Sequence, residues 1–280
     1  MELQYRIVNV FTRGGPFTGN PLCVFEDGRG LDDAAMQALA RQFNLSETTF
    51  ILPSTAATVR VRIFTPSYEM PFAGHPTLGT AHVVRSLHDA GDALNLEMKA
   101  GIIPVIAERD RWTLQANAPS WRAVTETRGE MAAMLGLALS DVADSPLWMK
   151  AGKEQLLVPV KSAEAVRRAN PRADAFLRVR SEDGNSMAYV FADDGDASAR
   201  VVSRFFFSNG TAVLEDPATG SACANLGGWF TATRPGQDIR RTVSQGDEIQ
   251  RPSWLYLEVK AGVIFVGGDV IEMGRGRIAI

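Results

Sequence analysis

The sequence predicts a mixed α/β fold made of two pseudo-equivalent halves, residues 1–118 and 119–280. Three observations carry this. A chain of 280 residues has room for one large domain or two of about 140 residues each. A shift of 142 residues lays Arg62 on Arg204, Phe64 on Phe206 and Thr77 on Thr219, and one residue's slip then lays Gly79 on Gly220 and Ala81 on Ala222. Both copies run in the same order: a strand with R-x-F, a Gly-rich turn, Pro followed by Thr, then a helix that starts on small residues. The full order of predicted elements suits a mixed sheet better than a regular βαβ array.

Each element has a local reason. Leu3, Tyr5 and Ile7 alternate with Glu2, Gln4 and Arg6, so 3–11 reads as a strand. RGGPFTGNP (13–21) turns the chain into a short apolar strand at 22–25. Residues 31–44 predict a helix capped by Asp32 or Asp33, with Leu31, Met36, Leu39, Ala40 and Phe43 on one stripe. NLSETTFILP (44–53) turns into a strand closed by Pro53, and VRVRIFTP (59–66) alternates strictly. Residues 71–91 predict a turn feeding a helix that ends near Gly91, with Pro76 in the first turn, where a missing N–H costs nothing. LNLEMKAG, IIPVIAERD and RWTLQANAP predict an antiparallel meander, and the polar stretch 116–127 marks the boundary.

Beyond it come a helix over 128–137, two strands over 147–160, a helix over 162–180 interrupted by Pro171, and strands at 187–194 and 199–207. Residues 208–230 repeat the turn-to-helix design. The tail predicts short strands, WLYLEV, VIFVGG, VIEMG and GRIAI, punctuated by glycines, the last a candidate to return to the first half.

Composition narrows the function. The formal charge of −3 argues against a broad nucleic-acid surface and against a polybasic membrane patch. No apolar run approaches the roughly 18 residues of a membrane span, and MELQYRIVNVF lacks a signal-peptide pattern, so the cytoplasm is the expected location. Cys23 and Cys223 cannot supply a disulfide framework and read as small buried residues. His75, His82 and His88 fit no H-E-x-x-H pattern, so no metal site is expected, and His82 and His88 are placed on a helix surface or its edge. TGSACA lacks the flanking glycines of a nucleophile elbow, and there is no P-loop or dinucleotide fingerprint.

The paired turns are the candidate site. GHPTLG (74–79) and EDPATGSA (215–222) place Gly, Thr and Ser at helix starts, where unpaired N–H groups attract an anion such as a carboxylate. Facing halves would bring both starts to one cleft, with His75 and Asp216 across it, and the N–H donors would stabilise enolate charge. The alternative is that these are ordinary helix caps. Glu47, opening an apolar strand, is a base if burial raises its pKa, and otherwise a solvated loop glutamate.

FTGNPLCVF (17–25), NLSETTFI (44–51), PFAGHPTLGTAHV (71–83), EDPATGSACANL (215–226) and QGDEIQRPS (245–253) together resemble the PhzF, or phenazine biosynthesis-like, isomerase family. The resemblance implies a diaminopimelate epimerase-like fold: two halves, each a curled mixed sheet or barrel around a central helix. It implies Glu47 as acid/base with His75 and Asp216 as catalytic partners, and Asn20, Gly74, Pro76, Thr77, Thr219, Gly220 and Ser221 at the substrate. It also implies no cofactor, a small carboxylate substrate, and a homodimer. In the related epimerases two cysteines occupy the paired turns; here Gly74 and Asp216 stand there, so one carboxylate must remove and redeliver the proton. The chain departs from the family in RFFFSNGTAVL, which lacks a usual proline, and at Cys223, where a histidine is common.

The expected activity is therefore a cofactor-independent proton shift in a small carboxylate. An amino- or hydroxy-acid epimerase and a non-catalytic carboxylate binder or scaffold are the alternatives.

Overall fold

Alternating inward and outward residues make strand the commonest element of this chain, and the computed structural model, which describes Met1–Ile280, shows how the strands pair. The chain divides into two units: Met1–Gln115 with Gly267–Ile280, and Ala116–Val266. No helix is long and apolar enough to cross a membrane.

The first unit contains β1 (Glu2–Val10), β2 (Asn20–Phe25), α1 (Asp33–Phe43), β3 (Glu47–Leu52), β4 (Val59–Phe64), β5 (Glu69–Met70), α2 (Gly74–His88), β6 (Ala93–Met98), β7 (Gly101–Glu108) and β8 (Arg111–Gln115). β1 pairs with β2, β2 with β3, β3 with β4, β4 with β6, β6 with β7 and β7 with β8. The chain's last strand pairs with both β8 and β1, closing an eight-stranded barrel. α2 packs against β1, β2, β3, β4, β6 and β8, so it runs inside the barrel, and nine of its residues are buried. α1 covers the outside, setting Met36, Leu39 and Ala40 against Leu3, Cys23, Phe25, Phe50 and Phe64. Asp32, not Asp33, caps α1 by accepting from the Ala35 N–H.

The second unit contains β9 (Ser120–Ala123), α3 (Arg128–Met134), β10 (Leu147–Lys150), β11 (Glu154–Pro159), α4 (Ala163–Arg168), α5 (Ala173–Phe176), β12 (Met187–Asp193), β13 (Arg200–Ser208), β14 (Val213–Asp216), α6 (Gly220–Thr233), β15 (Ile239–Gln245), β16 (Ser253–Lys260) and the start of β17 (Val263–Ala279). Its pairings repeat those of the first, with parallel steps at β11–β12 and β13–β15 matching those at β2–β3 and β4–β6. α6 is the central helix, packed on β9, β10, β11, β15 and β16. The fold class is thus mixed α+β with a barrel around a buried helix, as the sequence predicts.

The residues behind the internal repeat have one structural task. Arg62 lies over the Phe64 ring at 5.0 Å and Arg204 over Phe206 at 4.7 Å. Each guanidinium forks onto a glutamate of the next short strand: Arg62 Nε and Nη2 donate to Glu69 at 2.8 and 2.7 Å, and Arg204 Nε and Nη2 to Glu215 at 3.1 and 2.6 Å. Those short strands, β5 and β14, lead directly into the two turns, so each fork anchors a turn to its barrel wall. The Arg62 hydrogen bonds hold the Glu69 carboxyl below its usual range.

Several elements differ from expectation. β17 is one strand of 17 residues, where the sequence predicts separate strands broken at glycines. Two of its glycines serve close approach instead: a Cβ on Gly268 would lie 2.2 Å from Phe11 Cδ1, and one on Gly267 would lie 2.6 Å from Thr113 Oγ1. β15 escapes the alternation rule because two of its inward residues, Arg241 and Gln245, are polar. Arg241 is tolerated there because Asp193 accepts from its Nε at 2.7 Å. The helix predicted over 162–180 is two short helices either side of Pro171. α2 stops at His88 because Asp89, not Gly91, takes the left-handed conformation. The boundary stretch holds strand β9, and β5 and β14 are short strands that the sequence did not predict.

Candidate active site

In the first unit, β2 and β3 are parallel, so Asn20 and Glu47 open their strands at the same end of the barrel. The first turn of α2 brings His75 to that end. A buried hydrogen bond between the Thr49 and Thr80 hydroxyls, 2.8 Å, sets the height of α2 against β3. As a result His75 Nε2 lies 3.3 Å from Glu47 Oε2, with the side chains only 7% and 16% exposed. Glu47 is therefore a partly buried strand residue, not a solvated loop glutamate.

The proton on this pair can be placed. His75 donates to the Pro21 carbonyl, and since Nε2 has no such partner, Nδ1 carries that hydrogen. Burial depresses the imidazole to about 3, with the Pro21 bond pulling more weakly the other way. A neutral ring with Nδ1–H presents a lone pair at Nε2. Facing a glutamate oxygen at 3.3 Å, that lone pair is satisfied when Glu47 carries the proton. The geometry thus suits a carboxyl that has just taken a proton.

A pH dependence follows. The unfolded imidazole titrates near 6.5 and the folded one near 3, so protons bind the unfolded chain first as pH falls. Stability is complete above about 6.5 and declines on acidification, by roughly 2 kcal/mol between pH 7 and pH 5. Urea unfolding at the two pH values measures it, and His75→Gln should remove that part of the slope. An unchanged slope in the variant would show that folding does not depress the His75 imidazole.

The remaining first-turn residues are placed as follows. Thr77 is buried and its hydroxyl donates to the Ala73 carbonyl at 2.7 Å, so it closes the helix turn. Pro76 is buried and Gly74 is partly exposed. His82 is partly buried and burial lowers its pKa, whereas His88 is exposed.

In the second unit, Asp216 ends β14 and Thr219, Gly220 and Ser221 open α6. Thr219 is the N-cap residue, yet its side chain does not cap the helix. Its hydroxyl donates to Asp216 Oδ2 at 2.5 Å instead. Gln245, which is fully buried, enforces this. Its Oε1 accepts the Thr219 backbone N–H at 3.3 Å, and its Nε2 donates to the Asp216 carbonyl at 2.8 Å and to Thr219 Oγ1 at 2.9 Å. With Oγ1 accepting from Gln245, the Thr219 hydrogen is left for the Asp216 carboxylate. Gly246 lets the following turn close up, since a Cβ there would lie 2.4 Å from the Arg251 carbonyl oxygen and 2.5 Å from that of Pro217. The Q-G-D-E-I-Q-R-P-S stretch therefore braces the second turn. Gln245 was not among the sequence candidates; its signal was a glutamine at an inward strand position.

Three of the outer helices are capped by side chains, whereas α5 and the two central helices are not. Asp32, Thr127 and Ser162 cap α1, α3 and α4 with their side chains, whereas Ala73 and Thr219 give α2 and α6 no such bond. The two long central helices thus start without a side-chain acceptor at their N-caps. Cys23 and Cys223 are fully buried and burial pushes both thiols well up, so neither is a ready thiolate.

A barrel wrapped on a buried helix, and a second curled sheet packed on another, each helix opened by a polar turn, define an epimerase-like fold. The chain is similar over its whole length to the crystal structure of a PhzF-family phenazine biosynthesis protein of Bacillus anthracis, with a TM-score of 0.88, 26% identity and 100% of each chain covered. A hydroxyproline epimerase of Agrobacterium vitis shares the fold at a TM-score of 0.61 and 13% identity, over 100% of this chain and 93% of that one. The family model described as phenazine biosynthesis-like protein matches residues 8–270. The chain belongs to this family. Among curated relatives, an uncharacterized isomerase of Pasteurella multocida is 39% identical over 99% of this chain and 94% of its own. The trans-2,3-dihydro-3-hydroxyanthranilate isomerase of Pseudomonas fluorescens is 34% identical over 99% of both.

Proposed function

We propose that this isomerase-family protein moves a proton between carbons of a small carboxylate-bearing substrate without a cofactor, with Glu47 as the acid/base. The observation that carries the reading is the 3.3 Å contact between Glu47 and a buried, neutral His75. A Glu47 carboxylate takes a proton from an acidic C–H, and the electron pair left behind shifts into the adjoining double bond. The new carboxyl finds an acceptor in His75 Nε2, which holds it in place. It then returns the proton at the far end of the shifted π-system, so no redox partner is needed. Uncapped helix starts are suited to the substrate's carboxylate and to the charge that develops. Asp216, its carboxylate held by the Thr219 hydroxyl, orients the substrate.

A relative named for trans-2,3-dihydro-3-hydroxyanthranilate points to a cyclic, unsaturated carboxylate as the substrate class. Epimerisation by a thiol pair is disfavoured by the two buried, raised thiols. The test is to incubate the protein with that dihydro acid in D2O. Migration of the double bond with deuterium at the new C–H position is expected. Inversion of an amino acid's α-carbon with no bond migration would overturn it in favour of an epimerase, and binding without exchange in favour of a non-catalytic binder.

A further inference from the structure

Every residue of β11 is buried, and its second residue is Gln155. A buried amide must have both ends paired, and Gln155 achieves this through Asn225, which is fully buried on α6. The Ala151 backbone N–H donates to Asn225 Oδ1 at 2.7 Å. A backbone N–H can only donate, so this atom is the amide oxygen. Asn225 Nδ2 donates to the Lys153 carbonyl at 3.0 Å, which can only accept, and to Gln155 Oε1 at 2.7 Å. The other end of Gln155, Nε2, therefore donates to Ser221 Oγ at 3.0 Å. Two backbone groups thus set the direction of the whole chain, and flipping either amide breaks it. Ser221 Oγ receives a hydrogen along this line, so its own O–H points away from Gln155.

We propose that Gln155 and Asn225 are positioning residues that hold the Ser221 hydroxyl in one polarity, as a standing donor to an anionic oxygen of the substrate. The inference rests on the reading of Ser221 as a substrate-binding residue and deepens it. A freely turning hydroxyl accepts as readily as it donates. One locked as a donor, at the second residue of an uncapped helix, favours a carboxylate oxygen over a ligand offering N–H or O–H at that point.

The decisive variant is Gln155→Glu, which keeps the shape but replaces the donating end with an acceptor. At pH 7.5 the Ser221 hydrogen is then drawn inward. Affinity for anthranilate, a stable aromatic carboxylate, should fall about tenfold relative to wild type by calorimetry. The ratio should shrink at pH 5.5, as the installed carboxyl gains a proton and donates to Ser221 again. In a Ser221→Ala background the same change should have no further effect. Unaltered affinity, a loss equal at both pH values, or an equal loss without the serine hydroxyl would overturn the proposal. Should Gln155→Glu fail to fold, neutron diffraction from deuterated wild-type protein decides the polarity. A deuteron on Ser221 Oγ directed away from Gln155 supports it, and one on the line to Gln155 overturns it. If the wild type binds no anthranilate, the carboxylate reading of the site is what fails, and the deuteron still settles the direction.

Discussion

Glu47→Gln should abolish deuterium exchange into substrate in D2O and lower turnover by roughly 10²–10⁴-fold, the range over which a positioned acid/base contributes. The variant keeps the length and shape of the side chain. Its amide N–H can donate to His75 Nε2, which lies 3.3 Å from Glu47 Oε2, so folding stability should stay close to wild type. Loss of exchange with an unchanged melting curve thus isolates the missing base. Proton NMR of the product in D2O checks the result, and exchange at the wild-type rate would remove Glu47 from the mechanism.

The largest effect on stability is expected from Arg204→Ala. Arg204 forks onto Glu215, donates to the Arg167 and Ala169 carbonyls, and covers the Phe206 ring. Glu215 is only 8% exposed, so deleting the guanidinium leaves a nearly buried carboxylate without its cation. Breaking such a pair from one side costs about 3–5 kcal/mol, read as a lower urea midpoint at unchanged slope. Arg62→Ala should cost less, because Lys99 also pairs with Glu69 and remains after the change. Equal losses at the two positions would mean that the forks do not act through their glutamates.

The repeat identities were visible because a strand and its following turn are local, and Arg62 and Arg204 fall at one offset. Their partners were not, because the stretch between fork and glutamate differs in length in the two copies. Glu69 lies seven positions from Arg62, whereas Glu215 lies eleven from Arg204. Glu47, His75, Asp216 and Ser221 were legible as candidates through motif resemblance. Burial was legible only where it is apolar, so β15, with Arg241 and Gln245 turned inward, went unread. Glycine was misread in β17, since the same residue permits a turn or the close approach of an aromatic ring, and only the neighbour distinguishes them.

By itself, the sequence determined the mixed α/β class, the doubled strand-turn-helix unit and the residue types available for proton chemistry. Periodicity, turn residues and motifs are local, and they survive in the one-dimensional string. Tertiary structure alone decided which nitrogen of His75 faces Glu47, which way the Gln155 and Gln245 amides point, and that Thr219 serves Asp216 and not its own helix. Those outcomes depend on groups far apart in the chain, such as Ala151 and Asn225, 74 residues apart. A hydrogen bond's direction is set by the last obligate donor or acceptor in the line, and here that is a backbone group placed only when the barrel closes.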